Sequence, residues 1–88
     1  MNNLKLGDEN ASDLNFDIKL DTTGLYCPLP ILETKQTISN LTSKKKLLVI
    51  TSDPSFDIDC KVYLRQSGNK LLKSWQVGEK FYYLLIKS

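Results

Sequence analysis

Phe16, Ile18 and Leu20 alternate with Asp17, Lys19 and Asp21, the period-two pattern of a strand that buries one face. Gly24, Pro28 and Pro30 break any regular element, so the strand ends before the segment TTGLYCPLP. From about Pro30 to Leu41 the apolar positions Ile31, Leu32, Ile38 and Leu41 suit a helix, with prolines at its start, where a missing N–H costs least. Leu47, Leu48, Val49 and Ile50 form a continuous apolar run, the mark of a fully buried strand. Asp53-Pro54-Ser55 reads as a turn, with Asp53 or Ser55 as candidate cap of a second helix. Phe56, Cys60, Tyr63 and Leu64 share one face of that helix, and Ser67-Gly68-Asn69 stops it. Two final segments, Lys70–Gln76 and Lys80–Lys87, flank Val77-Gly78-Glu79 as an antiparallel hairpin.

The order β-α-β-α-β-β predicts an α+β fold. We expect a two-layer sandwich: a mixed four-stranded sheet with both helices on one face. The opposite face must then meet water or a partner, and both faces of Phe81–Ile86 carry apolar side chains. Some of Trp75, Tyr82 and Leu84 are therefore expected at the surface. Residues 1–14 are polar and aperiodic, and read as a flexible tail ahead of a domain over residues 15–88.

Length narrows the picture: 88 residues allow one small domain. No apolar stretch approaches the ~20 residues of a membrane span, and MNNLKLGDEN lacks the basic and apolar regions of a secretory signal. A cytoplasmic protein without membrane contact is expected. Residues 1–21 carry two basic and five acidic side chains, and residues 22–88 carry ten basic and five acidic. Such asymmetry favours acidic partners, although lysines scattered over a solvated surface explain it as well.

Histidine is absent, which removes Ser-His and Cys-His catalysis and imidazole metal ligation. Two cysteines are too few for a four-cysteine zinc site, so neither metal nor cofactor is expected. There is also no phosphate-cradling glycine loop and no RNA-reading aromatic motif, and direct nucleic-acid binding is not expected. Chemistry in this chain therefore belongs to a cysteine working without histidine, or to none.

Cys27 lies between a strand end and a helix start. The following Pro28 holds it out of the helical region, so it is a candidate N-cap. There the helix dipole would favour its thiolate and lower its pKa. A thiolate so placed can take the terminal sulfur of a persulfide and pass it on. The same residues also suit an incidental cysteine in a proline-rich loop. Cys60, by its helical spacing, reads as core and not as a resolving thiol for Cys27.

The run Asp21-Thr22-Thr23-Gly24-Leu25-Tyr26-Cys27-Pro28-Leu29-Pro30 resembles the D-x-x-G-L-x-C-P-x-P signature of the TusA/SirA-like sulfur-carrier family. The likeness continues in the strand and D-P turn of Leu48–Pro54, in Asp59 at the second helix, and in the closing strand Tyr82–Lys87. It implies a sulfur carrier whose Cys27 accepts sulfur as a persulfide from a cysteine desulfurase and relays it to an acceptor protein. One branch of the family ends in tRNA 2-thiouridine synthesis. On this resemblance Gly24, Pro28 and Pro30 shape the loop. Tyr26 and Leu29 are candidates for apolar partner contact and Lys35 for steering, with Lys44–Lys46 a weaker steering candidate. The chain departs from the family in having Gly68-Asn69 where many members have Gly-His, and Cys60 where isoleucine is usual. A non-carrier redox-sensing or regulatory module using the Cys27 thiol is the alternative.

Overall fold

A computed structural model describes residues 16–88; the tail expected over residues 1–14 lies outside them. Four strands and two helices follow in the predicted order. They are β1 (Ile18–Asp21), α1 (Leu29–Ser39), β2 (Lys46–Thr51), α2 (Phe56–Ser67), β3 (Lys70–Val77) and β4 (Lys80–Ile86). The sheet runs β1-β2-β4-β3. β1 and β2 are parallel, whereas β4 is antiparallel to both β2 and β3, so the sheet is mixed as expected.

Both helices lie on one face. Ile31 and Ile38 of α1 and Phe56, Cys60 and Leu64 of α2 cluster with Leu47, Val49, Tyr83 and Leu85. Phe56 and Tyr83 meet at a ring-centroid distance of 4.8 Å with planes tilted by 59°, a geometry that aromatic pairs favour. The α1 face differs in detail from its sequence reading. Leu32 is half exposed and Thr34 is fully buried, because the Thr34 hydroxyl donates to the Pro30 carbonyl at 2.8 Å. A hydroxyl bonded inside its own helix is compatible with burial.

The opposite face holds Leu48, Ile50 and Leu84 with Trp75 and Tyr82 packed on them. Leu84 is buried, and it is Trp75 and Tyr82 that stand half exposed. Their rings stack 5.0 Å apart at 5°, covering the aliphatic layer. Gly68 ends α2 in the left-handed conformation (φ +83°), its N–H bonded to the Leu64 carbonyl. Asn69 then donates to the Tyr63 hydroxyl and accepts the Ser88 N–H. This amide ties Ser88 to α2.

The first two strands matter most for function. Being parallel neighbours, β1 and β2 end side by side. The loop after β1, which contains Cys27, and the loop after β2, which contains Asp53, therefore emerge together at one end of the sheet.

Candidate functional site

The cysteine loop is built by tying residues 21–27 to the end of β2. Thr22, almost fully buried, donates both its backbone N–H and its hydroxyl to the Ile50 carbonyl at 2.7 Å. Asp21 accepts the N–H and hydroxyl of Thr23, and these bonds hold its carboxyl below the usual carboxylate range. Gly24 turns the chain at φ +90°, a conformation that strains residues bearing a Cβ, and its N–H donates to Ser52 Oγ at 3.0 Å. The Leu25 N–H closes the turn on the Thr22 carbonyl at 3.0 Å.

Cys27 itself is pinned through its backbone. Its N–H donates to Asp53 Oδ2 at 2.7 Å. The other carboxylate oxygen, Asp53 Oδ1, accepts the N–H and hydroxyl of Ser55 at 3.0 and 2.9 Å. Asp53 is buried. Burial alone would push its carboxyl up, but the Ser55 and Cys27 bonds outweigh that and hold it below its ordinary value of 3.8. Asp53 and Ser55 were both candidate caps of α2. The residue at the N-cap is Ser55, without a side-chain cap bond, and Asp53 instead clamps two loops together.

The expected capping role of Cys27 is corrected in the same way. α1 begins at Leu29 with Pro28 at its N-cap position, and no side chain caps it; the Cys27–Pro28 peptide is cis. The Leu29 N–H, one of the few donors left in that turn, is taken by the Tyr26 carbonyl at 2.8 Å. The Cys27 sulfur points across to α2, where its thiol donates to Asp59 Oδ2 at 3.6 Å. Its pKa is accordingly raised and not lowered, through partial desolvation and then the Asp59 carboxylate, with Asp53 adding to it. Desolvation and the two nearby carboxylates all oppose a charged sulfur.

Cys27, Pro28, Ile31 and Lys35 on one side and Asp59, Val62, Tyr63 and Gln66 on the other line a shallow groove of about 240 Å³ between the helices. Val62 in that lining is an exposed apolar side chain, and Tyr26, Leu29 and Leu32 on the cysteine side and Ile58 next to Asp59 in the chain are exposed too. Tyr26 and Leu29 are exposed next to Cys27 and Pro28 in the chain, and Lys35 lines the groove with its ammonium 5.7 Å from the Tyr63 ring centroid. Pro30 is buried beneath the loop. Lys44–Lys46 are not part of the site, since they lie at the opposite end of β2, a strand of six residues and so about 20 Å away.

Cys60 is completely buried, and burial pushes its thiol up to about 12. Both cysteines are free. Among the described residues no group of three Cys, Asp or Glu side chains converges as a metal cage would require, and no helix is long and apolar enough to cross a membrane.

Comparison with known proteins gives a consistent result. The family described as sulfurtransferase TusA matches residues 18–88. The sulfur carrier protein TusA of Allochromatium vinosum is 43% identical over 74 residues, covering 84% of this chain and 97% of that protein. The sulfur carrier protein TusA of Pseudomonas putida strain GB-1 is 34% identical over 76 residues, covering 86% of this chain and 95% of the relative.

Proposed function

The chain belongs to the TusA family, and from that premise we propose that it is a sulfur carrier whose Cys27 accepts sulfur as a persulfide from a cysteine desulfurase and hands it to an acceptor protein. The reading is carried by one observation: the single exposed cysteine among the described residues lines a groove between the two helices, with exposed Tyr26 and Leu29 close to it in the chain. A thiol that must meet a second protein's active-site sulfur needs both access and a surface on which to dock.

The chemistry requires no histidine. The Cys27 sulfur attacks the outer sulfur of the donor persulfide, forming a new S–S bond as the donor's own S–S bond breaks. The electron pair of the broken bond leaves with the donor cysteine sulfur, which takes up the proton given up by Cys27. Cys27 then carries –S–SH, and no oxidant or reductant is consumed. An acceptor thiolate repeats the same displacement on the outer sulfur. The end point of the relay, tRNA 2-thiolation or another product, is decided by which downstream protein accepts the sulfur.

Docking follows from the same surface. Tyr26 and Leu29 supply apolar contact, and Lys35 steers an acidic partner toward the groove. Gly24, Pro28 and Pro30 give the loop the shape that presents the sulfur. Incubation with a cysteine desulfurase and free cysteine, followed by intact-protein mass spectrometry, tests the reading. A gain of about 32 Da on Cys27, reversed by a thiol reductant, is expected. A protein that is oxidised under the same conditions but never gains sulfur is a redox-sensing module and not a carrier.

A further inference from the structure

Asp57 and Asp59 are two residues apart on α2 and so point to different sides of it. Asp57 is fully engaged: it accepts the Lys61 ammonium at 3.0 Å and the Tyr83 hydroxyl at 3.2 Å. Asp59 pairs with no lysine or arginine among the described residues. It is half exposed, lines the groove, and its carboxylate accepts the Cys27 thiol. Among the described residues, charged and titratable groups reach Cys27 from both helices and the loop between β2 and α2. Asp53 comes from the β2–α2 loop, Ser55 from the start of α2, Asp59 and Tyr63 from α2, and Lys35 from α1. The Lys35 ammonium is directed to the Tyr63 ring.

We infer that Asp59 holds the Cys27 sulfur as a thiol in the free protein, and that a sulfur donor releases it by setting a cationic side chain against the Asp59 carboxylate. A carboxylate within hydrogen-bond reach resists formation of a second negative charge, and burial of the pair under a docked protein would sharpen that resistance unless a cation enters with it. A lysine or arginine of the partner would cancel the Asp59 charge, free the thiolate at the moment of contact, and leave the undocked carrier slow to react with stray electrophiles. The surface to be complemented is therefore anionic beside the sulfur at Asp59 and cationic at Lys35, which selects a partner that is acidic toward Lys35 and sets one basic side chain against Asp59. The second half of this inference rests on the carrier reading; the first does not.

Alkylation of the isolated full chain by iodoacetamide, followed at the Cys27 peptide by mass spectrometry between about pH 6 and 10, tests the first half. Asp59→Asn should be alkylated at least about threefold faster than the wild type near neutral pH, with its rate profile moved to lower pH. Asp59→Glu should keep a profile close to the wild type. An Asp59→Asn profile that coincides with the wild type, or moves to higher pH, overturns the role of Asp59. The second half is read from desulfurase-driven loading of the same proteins. Asp59→Asn should load more slowly than the wild type despite its more reactive thiol, and its rate should depend less on salt. Loading that speeds up in proportion to alkylation would overturn the cationic partner. A wild type that never gains sulfur overturns the carrier reading and the cationic partner with it, whereas the alkylation profile still decides what Asp59 does.

Discussion

Asp53 carries the cysteine loop on two oxygens, one facing Cys27 and the other Ser55. Asp53→Ala strands both backbone donors and should lower stability by about 1–3 kcal/mol in thermal unfolding. Because its folded-state pKa is depressed, the stability it contributes is fully present above the unfolded value of about 3.9 and is lost as pH falls through the lower folded value. Acid unfolding of Asp53→Asn should therefore be shallower than that of the wild type below about pH 4. Cys60 behaves oppositely to Cys27. Buried against Phe56 and Leu64, it should resist alkylation until denaturant is added, and Cys60→Ala should cost about 1 kcal/mol while sulfur loading continues. Normal folding with lost transfer in that variant would assign Cys60 a chemical role. The loop placement of Cys27 was legible in the sequence, since Gly24, Pro28 and Pro30 keep its surroundings from being regular. Its electrostatics were not. Local reasoning sees the helix that follows Cys27, whereas the charges that act on the sulfur come from residues 26 and 32 positions away.

At the scale of elements, one alternating segment, one continuous apolar run, a hairpin turn and two helical stripes located all four strands and both helices to within a few residues. They could not give Asp59 its neighbour, because that contact exists only once β1 and β2 lie parallel and both helices settle on one face. Leu32 marks the same boundary of sequence reasoning. Its spacing suited the buried stripe of α1, yet it is half exposed beside Leu29, on the rim of the groove that α1 and α2 form together. This rim is where docking is tested. Tyr26→Ala should slow loading from the desulfurase without lowering the melting temperature, since the ring is 71% exposed and little packing is lost with it. Lys35→Glu should slow loading most at low ionic strength, the slowing fading as salt screens the partner's charge. Wild-type rates for both variants across a salt series would move docking away from the helices.

The whole molecule separates two faces. One sheet face carries the helices and the cysteine groove, while the other is closed by the stacked Trp75 and Tyr82, with Lys73 Nζ 5.8 Å from the Trp75 ring centroid. Trp75→Ala should uncover Leu84 and cost about 1–3 kcal/mol, yet leave the loading rate unchanged, because that face lies across the sheet from Cys27. A slowed rate would make the open face part of the docking surface. Strand order was not legible, since nothing local tells β4 to insert between β2 and β3. The apolar character of both its faces is what permits that central position, flanked on each side by a strand. The central claim is that Cys27 bears the sulfur, and peptide-level mass spectrometry after desulfurase treatment tests it most directly. The wild type and Cys60→Ala should each carry one added sulfur on the peptide containing Cys27, and Cys27→Ser, folded as the wild type, should carry none. Added sulfur on Cys27→Ser, or on the Cys60 peptide of the wild type, would contradict the account.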